Sequence, residues 1–387
     1  MKDIKSFFLL DPDIAFLNFG SFGACPKPVF EVYQQWQRKL EYEPVQFIAV
    51  EGPNYLRTAR EALGHYLHAD AEDLVYVTNP SYALNMVAAS FPLKEGDEVL
   101  STDLEYGASD KAWMYYCKRA GARYVRQPIH LPLQSEEQFV KEFMSGVSEH
   151  TRLIFISHIT SSTGLIFPVE KIIRLAKEQG IPVFVDGAHV PAHLDLNLRE
   201  LSADFYTGAC HKWMMAPKGS SFLYASKKMQ ALVDPLVVSW GYNNPVIQET
   251  RFLDYHQMQG TRDFSAFLTV PSAIDFMKEN GWKEVSAACR KMVLEQAPRF
   301  FSLLGTDALA PLHDNFIGQM LSLPIRCDEP ETLQRELFTR FKIEIPVMRH
   351  GDHRYIRYSI NGFNTEQDLD RLYQALRQIK EEGKYLH

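Results

Sequence analysis

The chain has 387 residues, 46% hydrophobic and 23% charged, with a formal net charge of -7 and a pI near 6.0, a balance ordinary for a folded globular protein rather than a disordered one, at a length that allows two domains. There is no block of basic residues to track a phosphate backbone and no uncharged apolar run of about 18 residues to cross a membrane, so neither nucleic acid nor membrane is an expected partner. Asp11 and Asp13 interrupt the first apolar stretch before a signal-peptide core forms, and the five cysteines show no CxxC spacing, which suits reduced thiols in a cytoplasmic enzyme.

In chain order, residues 1–19 read as an arm leading into Leu17-Asn18-Phe19-Gly20-Ser21-Phe22-Gly23, where two glycines let backbone approach a ligand closely. A helix is predicted around Val29 to Leu40. Leu74 to Thr78 reads as a strand, and Asn79-Pro80-Ser81-Tyr82 opens a helix whose N–H groups and dipole favour an anion. A strand at Glu98 to Ser101 runs into Asp103-Leu104-Glu105-Tyr106, and one at Arg152 to Ser157 runs into a hydroxyl-rich turn from His158 to Gly164. After a helix at Val169 to Gln179 come two short apolar runs: Val183 to Val185, delivering Asp186, and Phe205-Tyr206, leading to Lys212. This alternation predicts an α/β architecture, and open α/β sheets gather their ligands at the carboxyl ends of parallel strands.

Beyond Ala225 the pattern loosens through Val238 to Pro245, a predicted active-site loop, into the turn Gln259-Gly260-Thr261-Arg262-Asp263. From Phe264 the order helix, strand, strand, helix predicts a smaller α+β domain. Thr365 caps its last helix, with Leu369, Leu372, Leu376 and Ile379 on one face.

Asp186 and Lys212 alone read as a helix cap and a surface charge. Together, aimed at one crevice, they match a chemical need. Pyridoxal phosphate requires a lysine to hold its aldehyde as a Schiff base and a carboxylate to keep its ring nitrogen protonated. His189, three residues after Asp186, and His211, beside the lysine, are placed to flank the ring and the phosphate.

VDGAH followed by HKWMMAPKGSSFLY resembles the class V aminotransferase family of fold type I pyridoxal phosphate enzymes, and within it the isopenicillin N epimerase-like branch. LNFGSFGACP and IRYSINGFNT are similar to the same branch. The resemblance implies a mostly parallel seven-stranded sheet sandwiched by helices, in a large cofactor-binding domain over 20–260, with 1–19 and 261–387 forming the small domain. It implies a phosphate cradle at Asn79, Ser81 and Tyr82, an aromatic at Tyr106 to stack on the ring, and a polar contact from Ser161, where relatives usually carry an amide. It further implies that Thr261 reaches the phosphate site of a neighbouring subunit in a homodimer, that Arg357 clamps a substrate carboxylate with Arg349 and Arg354 in reserve, and that Asn18 and Ser21 lie at the substrate mouth.

The implied chemistry is removal of the α-proton of an amino acid by Lys212, followed by epimerisation, transamination or loss of a β-substituent from a cysteine-like substrate in the manner of a C–S lyase. Epimerisation needs a second acid, for which Tyr106, Tyr242 and His353 are candidates. Persulfide-forming desulfurases carry a cysteine just before the carboxylate arginine, where this chain has His350, Asp352 and His353. A pyridoxal phosphate-binding regulator would need a partner module for which the chain has no spare segment. A Rossmann nucleotide enzyme would need GxGxxG where the chain has TNPSYAL.

Overall fold

The computed structural model describes residues 4–386. Among the described residues twelve strands are formed: β1 Ala15–Phe16, β2 Leu74–Val77, β3 Glu98–Thr102, β4 Arg123–Gln127, β5 Thr151–Ser157, β6 Val183–Asp186, β7 Phe205–Ala209, β8 Ser221–Ala225, β9 Met320–Ile325, β10 Ile343–Glu344, β11 Val347–His350 and β12 His353–Ser359. Seven of them make one sheet in the order β2-β8-β7-β6-β5-β3-β4. Only β8 runs against its neighbours, pairing antiparallel with both β2 and β7. The expected mostly parallel seven-stranded sheet is present, and the carboxyl ends of six strands share one edge.

The central strands are apolar on both faces because helices cover both. Val183, Phe184 and Val185 of β6 and all five residues of β7 are buried. Such runs cannot alternate polar and apolar residues, since neither face meets water. The covering helices show the complementary pattern. Val169–Glu178 buries Val169, Ile172, Ile173 and Ala176, one stripe at helical spacing, and leaves charges outside.

A three-stranded antiparallel sheet, β11-β12-β9, forms near the carboxyl terminus, where Arg357 of β12 lies opposite Ser322 of β9. The helix Glu366–Glu381 opens on a capping box between Thr365 and Asp368 and buries Leu369, Leu372, Ala375, Leu376 and Ile379. The amino-terminal segment is not a free arm. β1 pairs in parallel with β10, Ala15 opposite Ile343, and Asn18 bridges to Ser359. Among the described residues no helix is long and apolar enough to cross a membrane.

Candidate active site

Five of the seven strands, β2, β3, β5, β6 and β7, end at a cavity of about 430 Å³, lined among others by Ser21, Ser81, Tyr106, Asp186, His189, Lys212 and Arg357. Asp186 is the last residue of β6, and the chain turns at once through Gly187, where a Cβ would collide with the hydroxyl of buried Tyr206. Ala188 N–H donates to Asp186 Oδ1 at 3.0 Å. Burial pushes the Asp186 carboxyl up, against the Ala188 hydrogen bond, the Lys212 charge and the Ser109 hydroxyl.

Lys212 follows β7, and its backbone is pressed by the amino-terminal turn. Gly23 has φ +65°, and a Cβ there would collide with the carbonyl oxygens of His211 and Lys212. Burial, helped by the Arg357 charge and opposed by Asp186, lowers the Lys212 amine to about 8. Geometry points the same way. Lys212 Nζ lies 3.2 Å from His189 Nε2, while Trp213 Nε1, a donor only, lies 3.4 Å from His189 Nδ1. An imidazole that accepts at Nδ1 carries its proton on Nε2, so the contact with Lys212 is one that the unprotonated amine makes, offering its lone pair. Burial first, then the Lys212 charge, holds His189 well below the usual histidine range, so the ring is neutral.

Arg357, 2% exposed, enters from β12. Nη1 donates to Ser161 O at 2.5 Å and lies 3.3 Å from Ser161 Oγ, while Nη2 donates to Ser21 Oγ at 2.9 Å. The Ser21 hydroxyl in turn donates to Asn18 Oδ1 at 2.5 Å, and Asn18 Nδ2 donates to Glu344 Oε1 at 3.0 Å. Asn18 therefore stands behind Ser21 rather than on the cavity wall. Arg349 and Arg354 do not line the cavity: Arg349 pairs with Glu331 at 2.5 Å, and Arg354 donates to the Gly351 and His353 carbonyls.

At the opposite end, Asn79 caps the helix Pro80–Ser90 by accepting the Tyr82 N–H at 2.8 Å. That N–H is thus committed to the cap, and the Tyr82 hydroxyl pairs with Gln259 Oε1 at 3.1 Å, so Tyr82 lies beside the cavity that Asn79 and Ser81 line. His211 lines it too. Its Nδ1 donates to Ser220 O at 2.8 Å, and burial lowers the ring to about 4. Thr261 lines a separate cavity of about 380 Å³ with Gly260, Arg262 and Trp240. Tyr242 and His353 are also elsewhere, Tyr242 packed on Tyr255 and His353 in a third cavity with Cys327. Of the three candidate second acids, Tyr106 alone reaches the Lys212 cavity.

Sequence reasoning missed Glu105. Its carboxylate is 2% exposed and accepts from Thr102 Oγ1 at 2.7 Å, from Ser157 N at 3.0 Å and from Ser157 Oγ at 2.5 Å. Burial nevertheless raises it to about 7, with Asp186 adding to the rise. Ser157 lies opposite Asp186 in the sheet and faces the cavity. An acidic residue next to the predicted ring-stacking aromatic was the available signal.

A family model described as Aminotransferase class-V matches residues 31–372. The chain belongs to this family. Isopenicillin N epimerase of Amycolatopsis lactamdurans is 35% identical over 385 residues, covering 96% of each chain. A probable chloroplastic L-cysteine desulfhydrase of Arabidopsis thaliana is 29% identical, covering 96% of this chain and 84% of the plant protein. A C-DES variant solved with glycine covalently linked to its PLP cofactor superposes with a TM-score of 0.83 at 19% identity, covering 95% of this chain and 97% of that one.

This class V protein is an enzyme, and its cofactor is pyridoxal 5'-phosphate. The donor set fits that group. An amine lowered by burial to about 8, a buried carboxylate in want of a cationic partner, and a helix N-terminus carrying Ser81 open on the same cavity.

Proposed function

We propose that this enzyme takes the α-proton from an amino-acid substrate and returns it on the other face, as an epimerase of the isopenicillin N epimerase type. The observation that carries the reading is one cavity shared by three groups: the Lys212 amine lowered by burial to about 8, the buried Arg357 guanidinium and the Tyr106 phenol. When bound, pyridoxal phosphate supplies an electron sink for the α-carbon. Lys212 would anchor it, Asp186 would hold its ring nitrogen, Asn79 and Ser81 would face its phosphate, and Tyr106 would cover its ring.

The protein's own part is positioning and proton transfer. Arg357, already fixed by Ser21 and Ser161, would orient the substrate carboxylate with its planar fork. Lys212, its amine lowered by burial to about 8, would accept the α-proton in its unprotonated form. Tyr106 would donate from the opposite wall, and the buried carboxyls of Asp186 and Glu105 would favour positive charge beneath the ring.

Transamination belongs to the same reading, differing in where the proton returns. A second reading is a C–S lyase acting on a cysteine-like substrate, favoured by the likeness to the plant desulfhydrase. The persulfide route stays set aside, because Cys327 lines a different cavity from Lys212.

The working unit in this reading is a homodimer in the cytoplasm. Trp240, 83% exposed, shares a cavity with Thr261, and a second copy packed there would carry Thr261 toward its neighbour's phosphate end. All five cysteines are unpaired, which supports a reducing compartment.

The deciding experiment is proton NMR in deuterated water with added pyridoxal phosphate and a panel of L-amino acids including L-cysteine, together with isopenicillin N. Loss of the α-proton signal with appearance of the epimer supports the first reading. Pyruvate and sulfide support the second, and a different keto acid indicates transamination. A panel in which no α-proton exchanges overturns α-carbon chemistry on these substrates.

A further inference from the structure

His193 lies outside the cavity but is tied to its chemistry from three sides. The ring is 2% exposed. Its Nε2 accepts the Gln319 backbone N–H at 2.6 Å, which requires the ring proton to sit on Nδ1. That Nδ1 then donates to the His189 carbonyl at 2.9 Å. The ring face lies against the Trp213 indole, with centroids 4.0 Å apart. The fit against the Gln319 turn is tight, since a Cβ at Gly318 would collide with Nε2.

These contacts join both halves of the Lys212 environment. His193 holds the backbone of His189 by a hydrogen bond and the side chain of Trp213 by stacking, and Trp213 N–H is what commits His189 to carry its proton on Nε2. Gln319 precedes β9, whose Ser322 pairs with Arg357 of β12. The small sheet that presents Arg357 therefore also supplies the donor that fixes His193.

We propose that His193 is a positioning residue for the Lys212 amine, acting through Trp213 and His189 to hold the His189 proton toward Nζ and so keep Lys212 a lone-pair acceptor. The proposal rests on the reading that Lys212 is the reactive amine. Burial lowers His193 to about 3, so the ring stays neutral and its single proton stays on Nδ1 through the working range. The charged and titratable groups facing Lys212 are Asp186, His189 and Arg357, with His211 adjoining it in the chain, and substitution at 193 changes none of them chemically.

The test is the pH profile of Lys212 acylation by acetic anhydride in the full chain freed of cofactor, quantified by mass spectrometry against the exposed lysines of the same molecule. His193→Phe keeps the stacking and removes both polar contacts. His193→Asn can restore the donor to the His189 carbonyl.

The expected result is a wild-type Lys212 midpoint well below that of the surface lysines. In His193→Phe it rises, so that Lys212 labelling at neutral pH falls at least threefold while the other lysines keep their rates. His193→Asn lies between. If His193→Phe does not fold, Gly318→Ala, which displaces the ring from outside, is read the same way. An unchanged midpoint in the folded variant overturns the role of His193. A wild-type Lys212 that labels like a surface lysine overturns instead the reading of Lys212, and no step of this test depends on the substrate or the reaction.

Discussion

Arg357 Nη2 donates to Ser21 Oγ at 2.9 Å across 336 residues of chain, so the last strand of the small sheet and the amino-terminal turn hold one guanidinium between them. Ser161 completes the hold from the end of β5. A guanidinium anchored on three segments is set in place before the substrate arrives, and its ordering cost is met in folding rather than in binding.

Arg357→Gln should therefore raise KM for the substrate by roughly 30-fold or more, because loss of one partner of a buried charge pair costs about 2 kcal/mol at the least. Ser21→Ala should raise it about fivefold, the worth of one hydrogen bond near 1 kcal/mol, with kcat little changed. Steady-state kinetics on both variants checks this. An Arg357→Gln enzyme with wild-type KM would remove the carboxylate from that site.

Lys212→Met should stabilise the cofactor-free fold. The amine falls from its ordinary 10.5 to about 8 on burial, so the folded state binds its proton more weakly than the unfolded state does. At about 1.4 kcal/mol per unit the shift costs about 3 kcal/mol of stability. The cost is fully present below pH 8, where both states are protonated, and is relieved as pH rises from 8 to 10.5. The variant's advantage in Tm should accordingly be large at pH 7 and vanish by about pH 10.5. The same variant should hold no pyridoxal phosphate that borohydride fixes to the chain. Thermal melts across pH and a reductive trapping assay read the two effects separately.

Asp186→Asn should keep the cofactor bound and lose turnover. The amide preserves the Ala188 contact and removes the charge that would hold a protonated ring nitrogen. A fall in kcat of roughly 10²-fold is expected, the scale for loss of one group that stabilises developing charge. Absorbance of the bound cofactor together with kcat measures both, and unchanged turnover would assign the ring-nitrogen role to another group.

Much of this site was legible in the sequence because its key groups stand where short apolar runs end. Asp186 closes β6 and Lys212 follows β7, while Arg357, within β12, stood out among three nearby arginines through the resemblance of IRYSINGFNT. The direction of β8 was not legible, since an apolar five-residue run reads alike in either direction. Tyr82 looked like a phosphate donor until the cap at Asn79 absorbed its N–H. The roles of Glu105, marked only as an acidic neighbour of Tyr106, and of His193 went unread for a different reason. Their importance arises from contacts with Ser157, 52 residues away, and with Gln319, 126 residues away, and no local motif encodes such pairings.

The remaining prediction concerns the apolar surface around Thr261. Trp240 is 83% exposed and shares a cavity with Thr261, and Val238, Val246, Ile247, Tyr42 and Val45 are exposed as well. Exposed large apolar groups in such number cost solubility unless a partner covers them. If that partner is a second copy, Trp240→Asp places a charge in its contact and should shift the protein toward a monomer in sedimentation equilibrium. Thr261 faces a cavity apart from the one containing Lys212, so a monomer would lack that residue at its phosphate end. Pyridoxal phosphate affinity should then fall in the monomeric variant and recover at concentrations that restore the dimer. A Trp240→Asp protein that stays dimeric, or a monomer that binds the cofactor as tightly as wild type, would show that Thr261 serves only its own chain.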